Sequence, residues 1–223
     1  MARRKKQDDF DDVLIDVVDA TGDARTFLEK NGKFLFGGIG LLALLIGGYF
    51  AYKYIVQAPK QKEAVAQMFQ AQFQFDRDSF KLALTNPGGG YPGFVDIVDQ
   101  YSGTPAGNLA NYYAAVSYIK LGDFEAAKSY LKAFHAPDNL LKATKQGLLG
   151  DLTGEAGDLE GALSYYKKAA SIADNDLVSP YYLKKAGLLL TKLDKKEEAH
   201  KIFEEIKSKY PNSAEGKDID KFL

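Results

Sequence analysis

His135 and His200 are the two histidines of the chain, and histidine is the side chain best suited to proton transfer near neutral pH. A histidine-based catalytic site needs a carboxylate or a nucleophile within hydrogen-bond reach, and a helical zinc site needs a motif such as HExxH. No HExxH motif occurs, and the two histidines fall in different repeats, away from any carboxylate pattern that suggests a site. His200 follows Ala199 in a segment rich in lysine and glutamate, which favours a solvated position, and His135 lies near a helix end before Pro137.

Other patterns that carry chemistry in proteins are incomplete in this chain. The glycine run at 88–90 lacks the Lys-Ser or Lys-Thr pair and the preceding strand of a phosphate-binding loop. The glutamate pairs at 197–198 and 204–205 alternate with lysines, which is typical of an exposed, ion-paired helix face. The chain has no cysteine, which excludes disulfides and thiolate sites. We therefore predict no catalytic residue, cofactor or metal; an enzyme would have to work with Tyr, Asp and Lys alone.

The charge balance limits the class of partner. Of the 223 residues, 29 are Lys or Arg, 30 are Asp or Glu, and 46% are hydrophobic. Binding to nucleic acid needs a clustered basic surface. Residues 57–223 instead carry 21 basic and 22 acidic side chains. We predict no nucleic-acid partner and enough apolar residues for a core.

Residues 34–52 form an unbroken run without a charge. As a helix with about 1.5 Å of rise per residue, this run would be roughly 29 Å long and would match a hydrocarbon core of about 30 Å. Lys33 and Lys53 bracket it, and four aromatic residues between positions 49 and 54 crowd one end, as expected at lipid headgroups. We predict a single transmembrane helix over residues 34–56, in contact with membrane lipid.

A cleaved signal peptide, with Val-Gln-Ala at 56–58 as the cleavage site, is the alternative. The apolar stretch is long for that class, and an acidic leader such as the one at 1–33 is unusual in it. Residues 1–33 carry seven basic side chains, whereas three lysines follow the stretch closely: Lys53, Lys60 and Lys62. The positive-inside rule then predicts a cytoplasmic N-terminus and a C-terminal part outside.

Three segments of the second half share one pattern: LGDFEAAKSYL at 121–131, AGDLEGALSYYKKA at 156–169 and LDKKEEAHKIF at 193–203. Their aligned small residues are 35 and 37 positions apart: Ala127, Ala162 and Ala199. This spacing is typical of repeated pairs of antiparallel helices. Gly122 and Gly157 are suited to close each first helix, and Asp123 and Asp158 to cap each second helix.

The same face of each second helix carries a large side chain four residues after the alanine: Leu131, Tyr166 and Phe203. Small residues are predicted upstream, where the first helix meets the second: Gly150 and Gly187. This pattern resembles the tetratricopeptide repeat (TPR), whose period is about 34 residues. The third copy departs from it, with Asp194 where glycine is usual. The resemblance implies an all-α fold in which a transmembrane helix precedes a TPR superhelix.

Residues 57–104 are less regular. Val65, Met68, Phe69 and Phe73 recur at helical spacing, and Asp78 is suited to cap a short helix that follows it. A glycine-rich loop at 86–93 then leads to a helix at about 94–101. We interpret this segment as a linker helix and a divergent first repeat. The predicted domains are a charged cytoplasmic tail at 1–33, the transmembrane helix, this segment, and the TPR domain at 105–223.

The sequence FLEKNGK at 27–33, followed by a glycine-rich apolar helix and repeats, resembles the YfgM-like family of bacterial inner-membrane proteins. The segment DSFKLAL at 78–84 is similar to that family too, whereas the loop at 86–93 and the acidic leader depart from it. The resemblance implies an ancillary subunit of the SecYEG translocon. Its implied partners are a PpiD-like prolyl isomerase and exported polypeptides, which it scaffolds or chaperones in the periplasm. A TPR adaptor of another envelope secretion or assembly complex is the alternative.

The concave face of such a domain, formed by the first helix of each pair, is the usual partner surface. Alignment of the three copies with the tetratricopeptide consensus predicts eight exposed residues there: Tyr112, Val116, Lys120, Asp151, Glu155, Tyr181, Lys184 and Leu188. The alternative is that Val116 and Leu188 belong to the core. In the apolar stretch, Ala43, Gly47 and Ala51 form a small-xxx-small stripe suited to helix packing in lipid, although such residues are common in membrane helices.

Overall fold

The structure is a computed structural model, and it describes residues 30–34 and 36–223. All regular elements of these residues are helical, which confirms the predicted all-α class. The chain divides between Pro59 and Lys60 into two compact units. Most of the predicted cytoplasmic tail, up to residue 29, lies outside the described residues.

The first unit contains the apolar stretch. Residues 30–34 are helical, helix α1 covers residues 36–51, and a π-helical turn covers Tyr52–Gln57. Within the described residues, one helix, Lys30–Asp76, is long and apolar enough to cross a membrane. None of its most apolar stretch is buried. This finding is compatible with a single-pass anchor or with a signal sequence.

The second unit begins within helix α2 at Ala58–Asp76, which packs with α3 at Phe80–Thr85 and α4 at Phe94–Gln100 around one apolar cluster. Helix α2 buries Ala64, Met68 and Ala71 in this cluster. The prediction that Asp78 caps α3 is wrong. Asp78 has a positive φ of 55° and lies in the turn that ends α2, whereas Ser79 occupies the N-cap position of α3 without a side-chain capping hydrogen bond.

Three helix pairs follow in chain order: α5 at Pro105–Leu121 with α6 at Phe124–Ala133, α7 at Asn139–Glu155 with α8 at Leu159–Ala173, and α9 at Ser179–Lys192 with α10 at Lys196–Lys209. A short helix α11 at Ala214–Asp218 and a 3₁₀ turn at Ile219–Phe222 close the chain. Each second helix packs against its own first helix, and α8 also packs against α9.

The turns within the pairs form as predicted from local chemistry. Gly122 and Gly157 adopt left-handed φ values of 78° and 87°, which cost glycine little. Asp123 then accepts a hydrogen bond from the Ala126 amide at 3.1 Å, and Asp158 caps α8 in the same way. In the third pair Asp194 itself takes the left-handed conformation, with φ of 59°.

The seams between paired helices are built from small residues. Ala127, Ala162 and Ala199 are all buried. A Cβ on Gly150 would lie 2.7 Å from the Tyr166 ring, and a Cβ on Gly187 would clash with the Phe203 ring. Glycine at these two positions therefore lets an aromatic ring of the second helix contact the backbone of the first.

The apolar interior of the second unit consists of three clusters in chain order. An N-terminal cluster joins α2 to α5, a middle cluster joins α5 to α7, and a C-terminal cluster joins α7 to α10 and the closing 3₁₀ turn. Consecutive clusters are connected by helices α5 and α7. This arrangement places the first helices α5, α7 and α9 in sequence along the unit.

Candidate functional site

All eight predicted surface residues lie on the first helices α5, α7 and α9, and none of them is buried. Tyr181 is 46% exposed and Leu188 is 42% exposed, so Leu188 is not a core residue. Val116 is half-buried, and Lys120 and Glu155 are exposed near the ends of α5 and α7. The first helices thus present a surface of mixed aromatic, aliphatic and charged side chains.

This surface includes an ion pair between the first helices α7 and α9. The Lys185 ammonium of α9 pairs with the Asp151 carboxylate of α7. The same carboxylate oxygen accepts a 2.7 Å hydrogen bond from the Tyr166 hydroxyl of α8. Lys185 also lies 4.8 Å from the centre of the Tyr166 ring and 5.7 Å from that of Tyr181, within the range of cation–π attraction.

Tyr182 completes this group, which we call the tyrosine–lysine cluster: Asp151, Tyr166, Tyr181, Tyr182 and Lys185. Its ring lies 4.9 Å from that of Tyr181 in an edge-to-face arrangement. The space for the Tyr182 ring exists because Gly147 of α7 has no side chain; a Cβ there would clash with the ring. Side chains from α7, α8 and α9 therefore meet in one place.

Tyr166 and Tyr182 of the cluster are neutral hydrogen-bonding groups at physiological pH. Burial raises the pKa of Tyr182 to about 12. Burial, together with the hydrogen bond to Asp151, raises the pKa of Tyr166 above its ordinary value. Burial also raises the pKa of Tyr112. None of these shifts activates a tyrosine as a nucleophile or base, because that would require a lowered pKa.

Three of the remaining predicted residues make contacts outside the cluster. Tyr112 contacts Phe134 at a ring distance of 5.4 Å. The Lys184 ammonium lies 5.7 Å from the centre of the Phe222 ring, so this side chain contacts the C-terminal turn. Glu155 lines a separate cavity of about 540 Å³ near Phe124 and the α5–α6 turn.

In the first unit, the small residues Ala43, Gly47 and Ala51 are all exposed. A Cβ added to Gly47 would meet no atom within 4 Å. Within the described residues, nothing packs on this stripe. Its role in packing against another helix stays a prediction.

The arrangement offers little for catalysis or for metal binding. His200 lies 3.4 Å from Glu204, but both side chains are more than half exposed. A cavity of about 690 Å³ between α8 and α10 is lined by lysines and glutamates together with apolar residues. In the part of the chain that the structure describes, no group of three or more His, Asp and Glu residues is placed to hold a metal ion.

Several surface residues were not singled out from the sequence. Lys185 lies 34 residues after Asp151, and opposite charges one repeat apart are a signal that could have identified this pair. Leu177, in the turn before α9, is 73% exposed, and no local pattern predicts its exposure. On α2, Val65, Phe69 and Phe73 are exposed, whereas Met68 is buried. Helical spacing grouped these four residues and did not separate the exposed face of the helix from the buried one.

The comparisons with known proteins agree with this architecture. The family model described as a tetratricopeptide repeat-like domain matches residues 25–219, which is most of the chain. No curated protein matches the sequence significantly. Domains of this kind mediate protein–protein interaction and are typically non-catalytic. The fold of paired helices and the family match lead to the same conclusion: the chain belongs to the tetratricopeptide repeat-like domain family.

Proposed function

We propose that this protein is a membrane-anchored TPR scaffold of the bacterial inner membrane, an ancillary subunit of the Sec translocon that chaperones exported polypeptides on the periplasmic side. The observation that carries the proposal is the order of the chain, in which an unburied apolar helix precedes a repeat domain. The family match begins at residue 25 and so includes the apolar stretch together with the repeats. This combination supports membership of the YfgM-like group.

In this proposal the apolar helix is an anchor and not a cleaved signal sequence. The uncharged run at 34–52 is long enough to span a bilayer, and the basic residues of the leader favour an N-terminus in the cytoplasm. The domains are then the tail at 1–33, the anchor at 34–56, the linker and divergent repeat at 57–104, and the TPR domain at 105–223. The stripe of Ala43, Gly47 and Ala51 would pack against a membrane helix of the translocon.

The surface of the first helices is the proposed binding face for exported chains. Tyr112, Tyr181 and Leu188 offer apolar and aromatic contacts that tolerate many sequences, and the tyrosine–lysine cluster supplies fixed polar groups beside them. Aromatic side chains are common among the residues that dominate binding energy. Such a face suits weak, repeated contacts with an extended polypeptide.

The test is affinity purification of the tagged full-length protein from detergent-solubilised membranes. The proposal expects SecYEG subunits and a PpiD-like prolyl isomerase to be recovered, and their absence would argue strongly against it. A photo-cross-linking residue at Tyr112 or Tyr181 should capture exported chains of many sizes. Capture of one stable folded partner would instead favour an adaptor of another envelope complex.

Protease treatment of intact spheroplasts tests the orientation independently. Digestion of the repeat domain from outside is expected if the N-terminus is cytoplasmic. Full protection of the repeat domain in spheroplasts, with digestion only after lysis, would show the opposite topology. Release of the repeat domain in soluble form, with its N-terminus near residue 58, would show that the apolar stretch is a signal sequence.

A further inference from the structure

A small cavity lies beside the tyrosine–lysine cluster, at the N-terminal end of α9. Its volume is about 320 Å³, which is at the lower end of the range for ligand sites. Thr144, Tyr181 and Tyr182 form its wall, and Leu177 stands at its edge. The space is sufficient for one or two apolar side chains of a polypeptide, and too small for a folded partner to enter.

The edge of this cavity is held in place by hydrogen bonds. The Asn175 side-chain oxygen accepts hydrogen bonds from the backbone amides of Leu177 at 3.0 Å and Val178 at 2.9 Å. The Ser179 hydroxyl donates a 2.7 Å hydrogen bond to the Ala170 carbonyl, which ties the same turn to α8. Leu177 is therefore 73% exposed on a fixed backbone, where it can bind without first being ordered.

Two carboxylates border the cavity, each from a different element. Asp176 belongs to the turn before α9, and Glu215 belongs to α11. Among the described residues neither carboxylate forms an ion pair, and no lysine or arginine lines the cavity. The local charge thus favours a basic group on whatever enters, because complementary potentials select partners and like charges exclude them.

We propose that this cavity recognises an extended polypeptide segment in which an apolar side chain stands next to a lysine or arginine. The apolar side chain enters between Leu177 and Tyr181, and the basic side chain lies between Asp176 and Glu215. This inference rests on the proposed function, since exported chains would be the source of such segments, and it names the chemistry that one part of the binding surface selects.

The experiment measures binding of fluorescently labelled extended peptides to the full-length protein in lipid nanodiscs by anisotropy. Three peptides differ at one central pair, which is Leu-Arg, Leu-Glu or Ser-Arg. The Leu-Arg peptide is expected to bind about tenfold more tightly than either of the others, which corresponds to a difference of about 1.4 kcal/mol. Equal binding of all three peptides would overturn the proposal.

Variants then locate the effect. Asp176→Asn combined with Glu215→Gln should reduce the preference for Leu-Arg over Leu-Glu to about twofold, and Leu177→Ser should weaken both leucine peptides about fivefold. All three positions are at the surface or partly exposed, so the fold should persist. The matched control neutralises two exposed carboxylates outside the cavity, Asp99→Asn with Glu125→Gln, and should retain the preference.

The outcomes separate this inference from the proposed function. If the translocon is recovered but the cavity variants do not change peptide binding, the proposed role of the cavity is refuted and the Sec role is not. Cavity-dependent preference for Leu-Arg without translocon recovery would support the cavity and refute the Sec role. Loss of preference in the control variant as well would show that total charge, and not this cavity, selects the peptide.

Discussion

Asp151 and Lys185 are 34 residues apart in the chain and form an ion pair between the first helices of consecutive pairs. Two other contacts have nearly the same separation. Lys195 reaches Glu160 at 2.6 Å over 35 residues, and the Tyr210 hydroxyl donates to Asp174 at 2.7 Å over 36 residues. Residues one repeat apart therefore become neighbours, and polar contacts of this kind fix how successive pairs stack.

Asp151→Ala should destabilise the protein more than Lys185→Met does. Removing Asp151 leaves the Tyr166 hydroxyl without its acceptor, which costs about 1–3 kcal/mol for a buried donor. Lys185 is partly exposed, and a pair of this kind contributes about 0.2–1 kcal/mol. Urea unfolding followed by circular dichroism measures both. Similar losses of unfolding free energy in the two variants would contradict this account. So would a loss from Asp151→Ala that is no smaller when Tyr166 has already been changed to Phe.

Gly150→Ala and Gly187→Ala should each cost about 1–3 kcal/mol of unfolding free energy, because the new methyl group meets the ring of Tyr166 or Phe203 in a filled seam. Gly154→Ala is the matched control in the same helix as Gly150. There a Cβ lies 3.4 Å from Ala162, an ordinary contact, and alanine should stabilise the helix by about 0.5–1 kcal/mol. Destabilisation of equal size at all three positions would mean that contact with the aromatic rings is not what requires glycine at positions 150 and 187.

Asp194→Gly should raise the free energy of unfolding by up to about 1 kcal/mol, because the left-handed conformation of Asp194 is unfavourable for a side chain and accessible to glycine. The reverse change, Gly157→Asp, should lower it by about 1 kcal/mol at the equivalent turn of the second pair. Thermal unfolding monitored by circular dichroism tests both. No change in either variant would show that these turns relax without strain.

Alkaline pH should destabilise the fold through Tyr182. Its folded pKa of about 12 lies above the ordinary value of 10.0, so its contribution is fully present below about pH 10 and is lost as the pH rises towards 12. Tyr182→Phe should flatten the decline in stability over this window, whereas the exposed Tyr91→Phe should leave it unchanged. An unaltered pH profile in Tyr182→Phe would mean that this hydroxyl titrates normally in the folded protein.

The sequence predicted the features that depend on neighbours along the chain. Gly122 with Asp123 and Gly157 with Asp158 close and cap adjacent helices within a few residues, so their roles follow from residue type and order. Asp78 shows the limit of such local patterns. A residue type suited to capping the next helix is equally suited to a left-handed turn, and Asp78 takes the turn, with φ of 55°.

Features that depend on how helix pairs stack were harder to predict from the sequence. The ion pair of Lys185 requires α9 to lie beside α7, and the cavity near Leu177 requires α11 to return to the start of α9. The glycine-rich loop at 86–93 is similar: its Pro87 carbonyl accepts hydrogen bonds from Gln70 at 3.3 Å and Gln74 at 2.9 Å, both on α2. These contacts join residues that no short pattern connects.

A pulling force applied at the C-terminal end would meet the three apolar clusters one after another. The closing 3₁₀ turn and α10 hold only the C-terminal cluster, so they can detach while α2 to α5 keep every contact of their own. Such a force would therefore release the last pair first and leave the part nearest residue 60 intact.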